Sequence, residues 1–129
     1  MEKNEIVVKV GRYTLEKDGI LRFETAPNTE INLAEAKECI AAAAKLVGNK
    51  RVPLYADMRN IKSIDKDAAL YFAGEEPVKT QSACAKVVSS TFEKVIGNFF
   101  MFFNKPLIPI KLFTDEVAAL EWLKGSVWS

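Results

Sequence analysis

The sequence predicts an α/β fold: a single domain on a five-stranded, mostly parallel mixed sheet, with an N-terminal hairpin and four helices. Three observations predict it. Two extended, apolar-rich stretches meet at an Asp-Gly turn near the start, apolar spacing then alternates between strand and helix periods, and capping residues stand where helices should begin. Strands that alternate with helices build parallel sheets joined by right-handed crossovers.

Residues 5 to 16 and 20 to 26 form the hairpin, joined by Lys17-Asp18-Gly19, where Asp-Gly supplies the left-handed conformations of a tight turn. Asn32-Leu33-Ala34-Glu35 has the form of a capping box, in which the Asn side chain serves an orphan amide and the Glu reaches back. The first helix follows, with Leu33, Ala36, Ile40, Ala43 and Val47 on one stripe and Gly48 as its C-terminal cap. A strand is expected at 51 to 57, with Pro53 tolerated near its entry. A helix at 65 to 76, a strand at 82 to 90, a third helix at 91 to 104 and a strand at 108 to 113 come next. Thr114-Asp115 introduces the last helix, EVAALEWLKG, with acids in its first turn and Lys124-Gly125 at its end. No repeat, low-complexity tract or linker divides the chain, so residues 1 to 129 read as one domain.

Composition narrows the chemistry. With 129 residues, 49% apolar and 27% charged, the chain matches a soluble globular average. A formal net charge of +1 creates no global field to recruit nucleic acid or an anionic membrane, and basic residues are interspersed with acids. The chain has no histidine, which removes the commonest general base and the commonest metal ligand. Cys39 and Cys84 form no CxxC pair and read as small buried apolar residues. The start, MEKNEIVV, is not a secretory signal, and the uncharged run at 95 to 104 is half the length of a membrane span, so a cytoplasmic protein is expected. No cofactor or metal is expected.

One string concentrates polar groups where strand gives way to helix: DMRNIKSIDKDAAL, residues 57 to 70. In open α/β sheets such strand ends border the crevice that binds ligands. Part of the string is explained by capping, since Asp65 or Ser63 suits a helix N-cap and Asp67 faces the positive end of the helix dipole. A catalytic reading rests on Asp57 and Asp65 alone, and neither has an evident partner to raise its pKa. Ser63 has no histidine to activate it, and a magnesium site at Asp57, Asp65 and Asp67 lacks any phosphate-cradling loop.

The order of elements, the Asp57 string and the ending KLFTDEVAALEWL together resemble the STAS domain, the fold of bacterial anti-sigma-factor antagonists. They are more similar still to a STAS-like group of small stand-alone proteins of unassigned function. The resemblance covers nearly the whole chain. In the ending, Phe113, Asp115, Ala119, Leu120, Trp122 and Leu123 look like the last strand and helix of that group. In the antagonist family a partner kinase phosphorylates the serine directly after the second aspartate, and the added charge abolishes partner binding. Here Asp57 and Asp65 match the two aspartates, but Lys66 stands at the serine's place and can neither accept the phosphoryl group nor mimic its charge. Ser63, three residues before Lys66, is the substitute acceptor to consider.

The third helix supplies a second candidate surface. Phe92, Val95, Ile96, Phe99 and Phe103 share one stripe, whereas Phe100 and Phe102 flank it and Met101 projects almost opposite. An end that is apolar all round must be covered by the domain itself, by a second subunit in a homodimer, or by an apolar ligand.

Three functions compete. The first is a non-enzymatic regulatory or protein-interaction domain, binding a partner through Asp57, Arg59, Ser63, Asp65 and Lys66. The second is an apolar-ligand or lipid-binding module, with a pocket of roughly 300 Å³ or more beside Phe99, Phe102 and Phe103. The third, an enzyme at Asp57 and Asp65, requires two buried carboxylates in one pocket.

Overall fold

The computed structural model describes residues 4–48, 50–90, 93, 94, 97 and 107–125. Eight strands are described: β1 Glu5–Val8, β2 Gly11–Leu15, β3 Leu21–Thr25, β4 Thr29–Ile31, β5 Val52–Asp57, β6 Ile61–Ile64, β7 Gln81–Val87 and β8 Ile110–Phe113. The helices are α1 Leu33–Val47, α2 Lys66–Phe72, the single turn α3 Glu75–Val78 and α4 Glu116–Leu123.

The main sheet has six strands in the order β1-β2-β3-β5-β7-β8, where five were expected. β1, β2 and β3 pair antiparallel, and β3, β5, β7 and β8 pair parallel, so the sheet is mixed as expected. The extra strand arises because residues 5 to 16 are two strands: the chain reverses at Lys9-Val10 and brings Val8 opposite Gly11. Both flanking valines, Val8 and Val10, enter the core, so apolar spacing runs through the reversal without a break. Gly11 permits the close approach of β2 to β3, because a Cβ there would run into the Glu24 carbonyl oxygen and the Phe23 ring.

The four expected helices become three helices of more than one turn among the described residues. The span expected as a single helix at 65 to 76 stops at Phe72, and Pro77 falls in the separate turn α3, where a proline ring cannot continue an α-helix. The helix expected at 91 to 104 lies mostly outside the described residues. Its start is visible: Ser90 Oγ accepts from Glu93 N at 3.0 Å, and Gly97 packs so closely on Leu112 of β8 that a Cβ would strike that side chain.

Local expectations hold where capping chemistry sets them. Asn32 Oδ1 accepts from Ala34 N and Glu35 N, and Glu35 Oε1 accepts from Asn32 N at 3.0 Å, which completes the capping box of α1. Gly19 takes a left-handed φ of 84° in the β2–β3 turn, where Asp18 Oδ1 accepts from Ile20 N at 3.0 Å. Pro53 sits beside a register shift in the β5–β7 ladder, the kind of position at which a strand can spare an N–H.

Alternation along the strands divides the core in two. Leu54, Ala56 and Cys84 join Tyr13, Phe23 and the apolar stripe of α1 on one face, with α2 packed on α1. Tyr55, Ala83, Ala85, Val87 and Phe113 point the other way and are covered by Ala119 and Leu123 of α4. Because α4 packs on β5, β7 and β8, the antiparallel half of that face carries charged pairs instead, such as Arg12 with Glu5 and Glu24.

Candidate functional site

The carboxyl end of β5 begins the site. Asp57 is its last residue, and its backbone is fixed when Thr25 Oγ1 donates to the Asp57 carbonyl at 2.9 Å. Beyond it the chain turns back, so the side chain two positions on returns to the same carboxylate. Asp57 Oδ1 accepts from Arg59 N at 3.1 Å and from Arg59 Nε at 2.9 Å, while Oδ2 accepts from Arg59 Nη2 at 2.7 Å. This fork-on-fork geometry is the strongest form of an arginine–carboxylate pair. Its hydrogen bonds hold the Asp57 carboxyl below the usual carboxylate range, against partial burial that acts upward. Asp57 in turn raises the Arg59 guanidinium above its ordinary value.

The pair lies on the α4 face of the sheet, where Tyr55 and Glu116 are its next titratable neighbours. Burial, followed by the charges of Glu116 and Asp57, pushes the Tyr55 hydroxyl up to about 12. Asp57 also lines a wide groove of about 510 Å³ with Arg12, Glu24, Thr25 and Asn60, among other residues. Asp65 does not line that groove.

The next residues form a strand where a loop was expected. β6 pairs in parallel with β4 as a separate two-stranded ribbon, tied at its ends by Asn28 N to Asn60 O at 2.9 Å and Asp65 N to Ile31 O at 3.0 Å. Asn28 closes the turn into β4 with a φ of 58°, a conformation that asparagine tolerates better than most side chains. Ser63 is exposed on this ribbon opposite Glu30, and Lys62 reaches Glu30 at 3.6 Å. Asp65 is the N-cap of α2, with Oδ1 accepting from Ala68 N at 2.8 Å, and Lys66 is the exposed first residue of the helix.

The structure therefore brings Asp57 and Arg59 together and gives Asp65 a separate task. Ser63, Asp65 and Lys66 continue along β6 and into α2, whereas the Asp57–Arg59 pair belongs to the end of β5. The partner of Asp57 was available in the sequence: in D-x-R at a strand end, alternation returns the third side chain to the side of the first. Phe99, Phe100, Met101, Phe102 and Phe103, and the pocket expected beside them, lie outside the described residues.

Cys39 and Cys84 are buried, as expected. Burial pushes the Cys39 thiol up to about 12 and the Cys84 thiol up to about 11. Among the described residues, no group of three or more His, Cys, Asp or Glu side chains is placed to hold a metal ion. Among them, too, no helix is long and apolar enough to cross a membrane.

Comparison with known proteins places this geometry in a wider group. Residues 13–127 match a family described as a domain of unknown function (DUF7793). An uncharacterized protein of the DUF3478 family from Shewanella loihica PV-4, described as having a SpoIIAA-like fold, superposes with a TM-score of 0.64. It is 16% identical to this chain, and the match covers 95% of this chain and 96% of that one. At that identity the likeness shows the fold, which is the STAS-like architecture the sequence resembles. A protein with unknown function from Arthrobacter sp. FB24 is 31% identical over 92% of this chain and 96% of that chain, with a TM-score of 0.36. No curated protein matches the chain.

Proposed function

We propose that this chain, which belongs to the DUF7793 family, is a non-enzymatic interaction domain on a SpoIIAA-like fold, docking a protein partner at the carboxyl-end rim of its sheet. The observation that carries the reading is the Asp57–Arg59 clamp. Its carboxylate is 16% exposed and its guanidinium 41%, so a nearly buried anion holds a half-exposed arginine in one orientation. An arginine fixed in this way loses little freedom on binding, and arginine is among the residues that most often dominate interface energies. Ser63, Asp65 and Lys66 extend the rim along β6 and α2 with exposed polar groups.

The same clamp argues against a catalytic pair. Asp57 is kept ionised by Arg59 and Asp65 is occupied as a helix cap, whereas carboxylate chemistry needs two acids whose environments drive their pKa values apart. Ser63 suits a phosphorylation switch poorly, because a phosphate on it would stand opposite Glu30. The rim acts as a constitutive surface.

Affinity capture with the wild-type protein and an Arg59→Ala variant tests this. The reading expects a specific set of proteins held by the wild type and lost by a variant whose melting temperature is within a few degrees. Equal recovery by both forms removes the rim from consideration. Light scattering on the purified chain reports separately whether a homodimer forms.

A further inference from the structure

β1 forms one edge of the main sheet, and among the described residues no strand lies beyond it. The β1–β2 ladder determines which of its backbone groups face that edge. Leu15 N donates to Asn4 O at 2.7 Å, so these two residues form a hydrogen-bonded pair, and in an antiparallel ladder such pairs alternate with non-bonded ones. Ile6 with Tyr13 and Val8 with Gly11 are therefore bonded pairs, whereas Glu5 faces Thr14 and Val7 faces Arg12 without ladder bonds. The N–H and C=O groups of Glu5 and Val7 thus point outwards. Lys9 continues the alternation, but its outward N–H is already taken, since it donates to Glu38 Oε1 of α1 at 3.3 Å. The open template consists of Glu5 and Val7.

Apart from its shortness, this edge lacks the devices that keep exposed strands from pairing. β1 contains no proline, its register with β2 is unbroken, and the charge of Glu5 is taken up by Arg12 at 3.2 Å. Val7 is 73% exposed, the most exposed large apolar side chain among the described residues. Ile6, on the core-facing side, is only partly buried.

We infer that β1 is the interface for a second copy of this chain, which adds its own β1 antiparallel across a two-fold axis at Ile6 and joins the two sheets into one. Residues paired across such a seam must face the same side of the sheet, so the axis passes through Glu5, Ile6 or Val7. An axis at Glu5 sets two carboxylates directly opposite each other, which is destabilising. An axis at Val7 requires the Lys9 amide that Glu38 holds. With the axis at Ile6, Glu5 of each copy pairs with Val7 of the other, and every outward N–H and C=O of both templates is used. The two Ile6 side chains then form a non-bonded pair, the closer kind, and cover each other. The contact is isologous and closes at two copies. It lies three strands from the Asp57–Arg59 clamp, roughly 14 Å at ~4.8 Å per strand, and does not depend on the rim reading. A strand of 4 residues buries less than the ~1,200 Å² of a standard interface, so the dimer is weak and concentration-dependent.

The test is sedimentation equilibrium of the purified full chain from about 10 µM to about 1 mM, with amide hydrogen exchange measured at both ends of that range. The inference expects reversible dimerisation, with the amides of Glu5 and Val7 gaining protection as concentration rises. Val7→Pro should stay monomeric throughout yet remain folded, because it removes an outward N–H that the β1–β2 ladder does not use. Val7→Glu meets Glu5 of the other copy twice across the axis and should weaken dimerisation by about fivefold or more. Val7→Lys meets the same carboxylates and should dimerise at least as well as the wild type. A chain still monomeric at the highest concentration, a dimer that survives in Val7→Pro, or a Val7→Lys variant that dimerises more weakly than wild type overturns the inference. If Val7→Pro does not fold, the Val7→Glu and Val7→Lys variants and the wild-type exchange decide alone.

Discussion

Arg59 lies across the carboxylate of Asp57, with Nε donating to Oδ1 at 2.9 Å and Nη2 donating to Oδ2 at 2.7 Å. Because the folded state holds the Asp57 carboxyl below its ordinary value, the pair links stability to pH in one direction. The contribution is present above the unfolded value near ~3.9 and is lost as pH falls through the folded value. Asp57→Asn should therefore lower stability by about 1 kcal/mol at neutral pH, a figure reduced for the half-exposed guanidinium. The deficit relative to wild type should stay constant above about pH 5 and shrink below about pH 4. Urea denaturation of both proteins across that range checks the sign.

Gly11→Ala should destabilise the fold by about 1–3 kcal/mol, since the new methyl meets the Glu24 backbone and the Phe23 ring. A backbone carbonyl paired in the β2–β3 ladder cannot move aside as a flexible side chain can. Thermal unfolding measures the loss, and an unchanged midpoint would mean that β2 and β3 are not this close.

Asp65 should behave as a helix cap. Asp65→Ala should cost about 1 kcal/mol, and Asp65→Ser should restore most of it, because either an Asp or a Ser oxygen can accept from Ala68 N. Asn32→Ala should lose a similar amount at α1, where the capping box is complete. Urea midpoints for the three variants give the comparison.

The thiols should be nearly inert in the folded protein. Burial raises Cys39 to about 12 and Cys84 to about 11, so neither is a thiolate at neutral pH. Reaction with an aromatic disulfide reagent should be about a hundredfold slower, or more, than in the urea-unfolded chain, and its rate should follow opening of the core.

Much of this architecture is legible in the residues because its signals are local. Asn32 and Glu35 announce α1, Asp18-Gly19 announces the β2–β3 turn, and Asp115 announces α4, each through a hydrogen bond to a near neighbour. What escaped depends on partners distant in sequence. β4 and β6 are three and four residues long and stabilise each other across thirty-odd positions, so IKSI reads as part of a polar loop until Thr29 to Ile31 is laid beside it. The break between β1 and β2 escaped because Val8 and Val10 are both buried, so the apolar pattern runs on through the reversal. At the site, Asp57, Arg59 and Asp65 were picked out by type and position. Their division of labour was hidden, because it depends on the turn after β5 directing Arg59 back onto Asp57 while β6 carries Asp65 away to α2.

The central claim is that the clamped, half-exposed Arg59 is the docking group. The direct measurement is the affinity of the captured partner for wild type, Arg59→Lys and Lys66→Glu, each first shown to be folded. Lysine keeps the charge but cannot span both Asp57 oxygens, so Arg59→Lys should bind at least tenfold more weakly, and Lys66→Glu should weaken binding through charge reversal on the same rim. Wild-type affinity in Arg59→Lys, or capture of no protein above an empty matrix, would contradict the account.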